Sequence, residues 1–250
     1  MKGLSVFIIT RNEEKNIRSC LESIKWAGEI VVVDDNSDDN TIEICNEYTD
    51  RIFKEEWKGY SRQKQSALDK TTGEWVLNLD ADERLTPELR LEIESTLAYK
   101  EKLKDGYLIP FKSYFGGKWI KHGGWYPDYH LRLFRREKGR FGNEEVHEGV
   151  KVEGPIGYLK NPIEHYTYSS VSDFIKRMDI YTSLFAEGSY KKGKKTTWEQ
   201  LILRPPFTFF KMFFLQRGML DGYYGFLLAI LYSYYTFLKY AKLREMWRDL

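Results

Sequence analysis

The first hundred residues predict an α/β fold: a mostly parallel central sheet flanked by helices. Two observations carry this. Short β-prone apolar runs alternate with segments of helical periodicity, the pattern of parallel strands joined by crossover helices. Two of those runs also end in acidic clusters, Asp34-Asp35 and Asp80-Ala-Asp82. Open α/β sheets bind their ligands at the carboxyl ends of the strands.

Each element has its own signal. Leu4 to Ile9 is the first strand, followed by Thr10-Arg-Asn-Glu-Glu14. A helix comes next, with Ile17, Cys20, Leu21 and Ile24 at helical spacing and Asn12 as its expected cap. A second strand, Glu29 to Val33, runs into Asp34-Asp-Asn-Ser37; Ser37 or Asp38 is the expected cap of a helix that puts Ile42, Cys45 and Tyr48 on one face. Arg51 to Phe53 is a short third strand, and Tyr60 to Lys70 a third helix ended by Thr71-Thr-Gly73. The run from Trp75 completes β-α-β-α-β-α-β and ends at Asp80.

Asp80 and Asp82 are one residue apart, and alternate residues of an extended segment share a side. Two carboxylates on one side suit Mg²⁺ or Mn²⁺ carrying a diphosphate; a solvated loop after a buried strand would read the same way. A dinucleotide fold would need G-x-G-x-x-G after the first strand. That place holds Thr10 to Glu14, without glycine, and no Walker A sequence occurs. Phosphates, if bound, would therefore be neutralised by a metal on the acidic pair.

Three segments, Ser5 to Glu13, Val32-Val-Asp-Asp-Asn-Ser-Asp38 and Leu79-Asp-Ala-Asp-Glu83, resemble the N-terminal motifs of family-2 glycosyltransferases, in the expected order. Arg132-Leu-Phe-Arg-Arg136, Val146-His-Glu148 and Leu220-Asp-Gly-Tyr-Tyr-Gly225 resemble a bacterial subgroup that includes lipopolysaccharide core β-glucosyltransferases acting on heptose. The resemblance implies a GT-A fold, a UDP-sugar donor and transfer with inversion.

It also implies roles. Thr10, Arg11 and Glu13 would edge the nucleotide pocket. Asp35 would hydrogen-bond the uracil or ribose, because an ionised carboxylate only accepts. Asp80 would reach the ribose or the metal, and Asp82 would ligate it; His165 is a third metal-ligand candidate. Arg62 and Lys64 would contact the diphosphate. Asp34 reads as a brace of its own turn. One base is needed to take the acceptor's proton; Glu148 is the first choice and Asp128 the second, with Glu144, Glu145, His147 and His165 also in range. The family's usual acceptor-side acidic pair lies farther from its D-x-D than Glu148 does here.

Tyr114-Phe-Gly-Gly-Lys-Trp119 and His122-Gly-Gly-Trp-Tyr126 fit either a mobile loop with sugar-stacking rings or a tryptophan-rich hairpin packed on the sheet. Residues 186–250 carry eleven Lys or Arg against five Asp or Glu, a net of +6 on a chain of +2. Residues 222–238 are without a charge, but five of the 17 are tyrosine and two glycine, at the low end of the roughly 17–25 residues a spanning helix needs. Lysines flanking tyrosine-rich apolar segments predict a helix lying in a membrane interface; a helix packed on its own domain and a spanning helix are the alternatives. The expected organisation is a transferase domain over 1–185 (nucleotide-sugar half 1–100, acceptor half 101–185) and a basic, aromatic membrane-associating region over 186–250.

Met1-Lys-Gly leads directly into a strand, not an apolar signal segment. Cys20 and Cys45 fall on apolar helix faces, not in a disulfide framework. Both features predict a cytoplasmic protein, peripheral on the inner face of the cell membrane. With 30% charged residues and a mean hydropathy of −0.54, a polytopic membrane protein is excluded, and the near-neutral balance gives no pull toward nucleic acid. The function expected is transfer of a sugar, glucose for preference, from a UDP-sugar to a lipid-linked saccharide such as core heptose. A nucleotidyltransferase would need a glycine-rich basic signature near the N-terminus, which is missing. A non-catalytic membrane adaptor would be expected to lose Asp35, Asp80 or Asp82, and all three are present.

Overall fold

The computed structural model describes residues 1–99, 103–142 and 149–247. Glu144, Glu145, His147 and Glu148 lie outside the described residues. The chain forms two compact units, Met1–Phe111 with Tyr129–His165, and Lys112–Asp128 with Tyr166–Leu250.

In the first unit the strands β1 (Leu4–Thr10), β2 (Glu29–Asp34), β3 (Ile52–Lys54) and β4 (Trp75–Asp80) alternate with helices α1 (Ile17–Ile24), α2 (Thr41–Asn46) and α3 (Tyr60–Asp69). They pair in parallel in the order β3-β2-β1-β4. These strands are apolar at nearly every position because both faces are covered. Val6, Ile8, Val32, Leu77 and Leu79 pack with Ile17, Leu21 and Ile24 of α1 and with Leu89 and Ile93 of α4 (Pro87–Ala98). The alternate residues Phe7, Val31, Val33 and Val76 pack on the other face with Ala67 and Leu68 of α3. Cys20 and Cys45 are free and buried, as expected of core residues; burial pushes the thiol of Cys45 up to about 12.

Beyond β4 the sheet becomes mixed. β5 (Glu83–Leu85), β6 (Gly106–Phe115), β8 (Asp128–Arg135) and β12 (Ile163–Tyr168) continue it in the order β4-β8-β6-β12-β5. β8 runs antiparallel to β4, and β12 antiparallel to β5. β11 (Ile156–Tyr158) adds in parallel to β6, and β9 (Gly139–Phe141) and β10 (Val150–Val152) form a separate hairpin. The mostly parallel sheet expected from the sequence is thus confined to its first four strands.

Two expected caps move. α1 is preceded by Asn16 and α2 by Asn40. Asn12 instead takes a left-handed φ of 54° and locks the two loops together. Its N–H donates to Ser37 Oγ at 2.9 Å, and its Oδ1 accepts from the Asp38 N–H at 3.0 Å. Short polar side chains that close loops in this way carry the same sequence signal as caps.

The second unit holds the end of β6, the strand β7 (Lys118–Trp119) and helices α5 (Val171–Lys191), α6 (Trp198–Ile202), α7 (Arg204–Phe210) and α8 (Tyr223–Glu245). A π-helical turn (Lys211–Leu215) and a 3₁₀ turn (Gly218–Asp221) link α7 to α8. β6 and β7 form a hairpin through Gly116 and Gly117, both at positive φ, where glycine carries no Cβ penalty. Phe115, Ile120 and Trp125 are buried with Phe174 and Met178 of α5 and Leu228 of α8, so this segment packs on helices, where packing on the sheet was one of the two expectations. Asp221 fixes the chain after the hairpin, accepting from the N–H groups of Lys121 and His122 and meeting His122 Nδ1 at 3.1 Å. Gly225 is required where α8 starts, since a Cβ there would lie 1.7 Å from Gly218 O. α5 runs unbroken across residues 185 and 186, where the domain boundary was expected. Among the described residues no helix is long and apolar enough to cross a membrane.

Candidate functional site

The parallel strands are in register at their carboxyl ends. Thr10 sits opposite Asp34, and Ile9 opposite Asp80. The chain proceeds from β1 to β2 and β3 on one side, then returns to place β4 on the other. The crevice between β1 and β4 is therefore the topological switch point, where such sheets bind ligands.

On the β2 side, Asp34 is buried and accepts from the Ser37 N–H at 2.9 Å and Ser37 Oγ at 2.5 Å, the brace expected of it. Asp35 is also buried, its N–H bonded to Thr10 O at 2.9 Å. Its carboxylate meets Arg11 Nη1 at 2.9 Å, and that arginine is largely exposed. Thr10 Oγ1 is buried without a hydrogen-bond partner. Glu13 stays beside α1, where its carboxylate accepts from Asn16 Nδ2 at 2.8 Å.

On the β4 side the two aspartates diverge. Asp80 is gripped by cations: Lys64 Nζ lies 2.9 Å from Oδ1, and Arg132 Nη2 lies 2.9 Å from Oδ2. Burial alone would raise the Asp80 carboxyl, but Lys64 and Arg132 outweigh it and hold it well below the usual range. Arg132 also bonds Glu83, which is fully buried and accepts the Asp80 N–H at 2.9 Å. Burial raises the Glu83 carboxyl, with the Arg132 charge opposing and Asp80 reinforcing the rise.

Asp82 is brought to His165 by strand pairing. His165 is the register partner of Glu83 across β12 and β5, so its Nε2 lies 3.5 Å from Asp82 Oδ2. Burial lowers the imidazole, but the Asp82 hydrogen bond and the neighbouring carboxylates raise it further, for a net rise above its ordinary value. Phe111 forms the wall behind both histidine and arginine. Its ring is 5.4 Å from the His165 ring, and the Arg132 guanidinium lies 5.0 Å above it.

The structure thus gathers Asp80, Lys64, Asp82 and His165 in one unit, and adds Arg132 and Glu83, which lie inside the motifs but had no expected role. Arg132 carries no local signal, since its strand Asp128–Arg135 mixes charged and apolar residues. Arg62 is exposed on α3 while Lys64 is buried. Residues two apart on a helix do not share a face, so the two were never a pair. Asp128 is exposed at the first residue of β8, in the second unit.

Asp82 and His165 suit a divalent cation. Asp82 supplies a hard carboxylate, the ligand type that suits Mg²⁺ and Mn²⁺, and His165 an imidazole, a nitrogen donor more typical of later transition metals; Mg²⁺ commonly takes only one or two protein carboxylates, with phosphate and water completing the shell. No cluster of three or more metal-ligating side chains occurs among the described residues. Asp80 already meets two cations, Lys64 on one oxygen and Arg132 on the other.

Comparison with known proteins bears on this site. The glycosyl transferase family 2 model matches residues 5–167. The lipopolysaccharide core biosynthesis glycosyltransferase LpsC of Rhizobium meliloti is 34% identical over 97% of this chain and 92% of its own length. An uncharacterized glycosyltransferase of Rickettsia typhi is 33% identical over 98% of this chain and 88% of its own. Among solved structures, S. aureus TarS 1–349 in complex with UDP-GlcNAc matches 100% of this chain and 92% of that one, at 17% identity and a TM-score of 0.52. The fold is GT-A-like, a mixed α/β sheet with flanking helices.

Proposed function

The chain belongs to glycosyl transferase family 2, and we propose that it moves a sugar, glucose in our reading, from a UDP-sugar to a lipid-linked saccharide of the lipopolysaccharide core type. The observation that carries this is the divided acidic pair: Asp80 held by Lys64 and Arg132, and Asp82 beside His165. The similarity to LpsC supports the acceptor class.

Asp35 would accept from the nucleoside, with the unpartnered Thr10 hydroxyl beside it as a further contact. Arg11 and Glu13 would edge that pocket, and exposed Arg62 would meet the diphosphate. Asp82 and His165 would hold Mg²⁺ or Mn²⁺. Such an ion supplies neutralisation of the leaving diphosphate. A carboxylate takes the proton of the acceptor hydroxyl as its oxygen attacks the anomeric carbon. The bond to the diphosphate breaks on the opposite face, UDP leaves with the electron pair, and the anomeric configuration inverts. Holding donor and acceptor in line is the fold's contribution.

Glu148 and Asp128 are the two carboxylates put forward as that base. Asp128→Asn and Glu148→Gln separate them: the true base loses kcat by roughly 10²–10⁴-fold and keeps its donor KM, while the other variant keeps its kcat. If neither loses turnover, both assignments fall.

The acceptor's lipid places the enzyme at the inner face of the cell membrane in this proposal. Phe207, Phe210, Phe214 and Leu215, with Tyr223, Phe226 and Ile230 of α8, are all exposed, and exposed apolar groups gathered on one unit are what a membrane or partner contact uses. The decisive assay is UDP release from a panel of UDP-sugars with bacterial glycolipid, in Mn²⁺, Mg²⁺ and EDTA. Metal-dependent release with one sugar establishes donor and reaction together; no release from any UDP-sugar refutes the proposed donor class.

A further inference from the structure

A groove of about 380 Å³ runs along the exposed apolar face of the second unit, between α6–α7 and α8. Leu201, Ile202, Pro205, Phe209, Ile230 and Phe237 line it. The hydroxyl of Ser233, also on its wall, is spent on Pro205 O at 2.8 Å. The two walls run antiparallel: Phe209 meets Phe226, Pro205 meets Ser233, and Arg204 bonds the Tyr240 hydroxyl.

The groove's Phe237 end therefore opens toward cations. The Arg204 guanidinium lies 5.2 Å from the Tyr240 ring centre, and Arg244, about one turn further along α8, lies 3.9 Å from that of Trp198. Basic groups outnumber acidic ones along these elements: residues 198–245 contain Arg204, Lys211, Arg217, Lys239, Lys242 and Arg244 against Glu199, Asp221 and Glu245, and residues 222–238 carry no charge at all. Asp221 is spent on His122. An open, mostly apolar slot with guanidinium groups at one end complements a molecule with an apolar chain and an anionic head.

We propose that this groove takes one acyl chain of an anionic bilayer phospholipid, with its phosphate on Arg204. The inference rests on the reading of this face as a membrane surface. It turns a general attraction into a defined lipid site.

The test uses the full chain and a short-chain phosphatidylglycerol kept below its micelle concentration, followed by calorimetry, alongside flotation on phosphatidylglycerol vesicles. The expected result is saturable one-to-one binding of the monomeric lipid. Ile230→Trp, which fills the groove from an exposed position, and Arg204→Gln should each weaken it by about tenfold, the order of one hydrogen bond to a charged group. Ile230→Trp should still float with vesicles, and circular dichroism should show both variants folded. If the wild type floats but binds no monomeric lipid, or if both variants bind as tightly as the wild type, the groove is not a lipid site and the surface reading stands. If the wild type does not float at all, the surface reading fails and this inference with it.

Discussion

Asp80 and Asp82 share a motif but not a chemistry. Asp80 lies between two buried cations, while Asp82 faces an imidazole. Asp82→Asn keeps the shape and loses the anionic ligand. Turnover should fall by roughly 10²–10³-fold, the scale of removing one electrostatic contact to a transition state, with an unchanged melting temperature and lost Mn²⁺ binding in the presence of UDP. Substantial retained turnover would remove Asp82 from the metal site. Arg132 is the opposite case, since its partners Asp80 and Glu83 leave it little exposed. Arg132→Met strands a buried carboxylate and should cost about 3–5 kcal/mol in denaturant unfolding. Adding Glu83→Gln should recover part of that loss, and no recovery would mean that the pair is not coupled. Asp82 was legible in the sequence because D-x-D after a strand is a local pattern. Arg132 was not, because its partners lie about fifty positions away.

At the scale of elements, the stability of the parallel half depends on ties between strand ends and helices. Glu55 follows β3 and accepts from Lys70 and from Ser66, whose Oγ is 2.9 Å from its Oε1, both at the far side of α3. Lys70 foremost, against the cost of burial and with help from Ser66 and Lys58, holds the Glu55 carboxyl down at about 2 against an ordinary 4.5. A depressed carboxylate contributes stability above its unfolded pKa and loses it as pH falls toward the folded one. The wild type should therefore lose stability between about pH 4.5 and 2. Glu55→Gln should be less stable at neutral pH and flatter across that window when melting temperature is followed against pH. Parallel acid limbs would show that the tie contributes nothing. The sequence placed the four strands and α3 to within a residue at each end, because apolar periodicity is a local property. It misplaced the caps of α1 and α2, because Asn12, Ser37 and Asp38 bond across two loops instead of along one helix.

For the whole molecule, the apolar face of the second unit is the feature with the widest consequence. Replacing Phe207, Phe214 and Phe226, each exposed, by serine removes ring area worth about 25 cal/mol per Å² of apolar surface buried in lipid. The triple variant should stay folded and float at least tenfold less on anionic vesicles, while UDP release with a water-soluble acceptor saccharide is unchanged. Wild-type flotation should also weaken with added salt, since each Lys or Arg near an anionic surface contributes about 1 kcal/mol and that attraction is screened. Salt-independent flotation would leave only the apolar part of the membrane reading.

The sequence by itself determined the alternation of the first four strands with three helices, the acidic strand ends and the family, because all of these reside in short contiguous segments. Only the tertiary structure decided what each charged residue does. His165 reaches Asp82 because β12 pairs with β5, and Arg132 neutralises Asp80 because β8 pairs with β4. Lys64 turns inward while Arg62 does not. Charge roles depend on neighbours that are close in space and far apart along the chain. A one-dimensional pattern supplies the groups, and the sheet's antiparallel half supplies the partners.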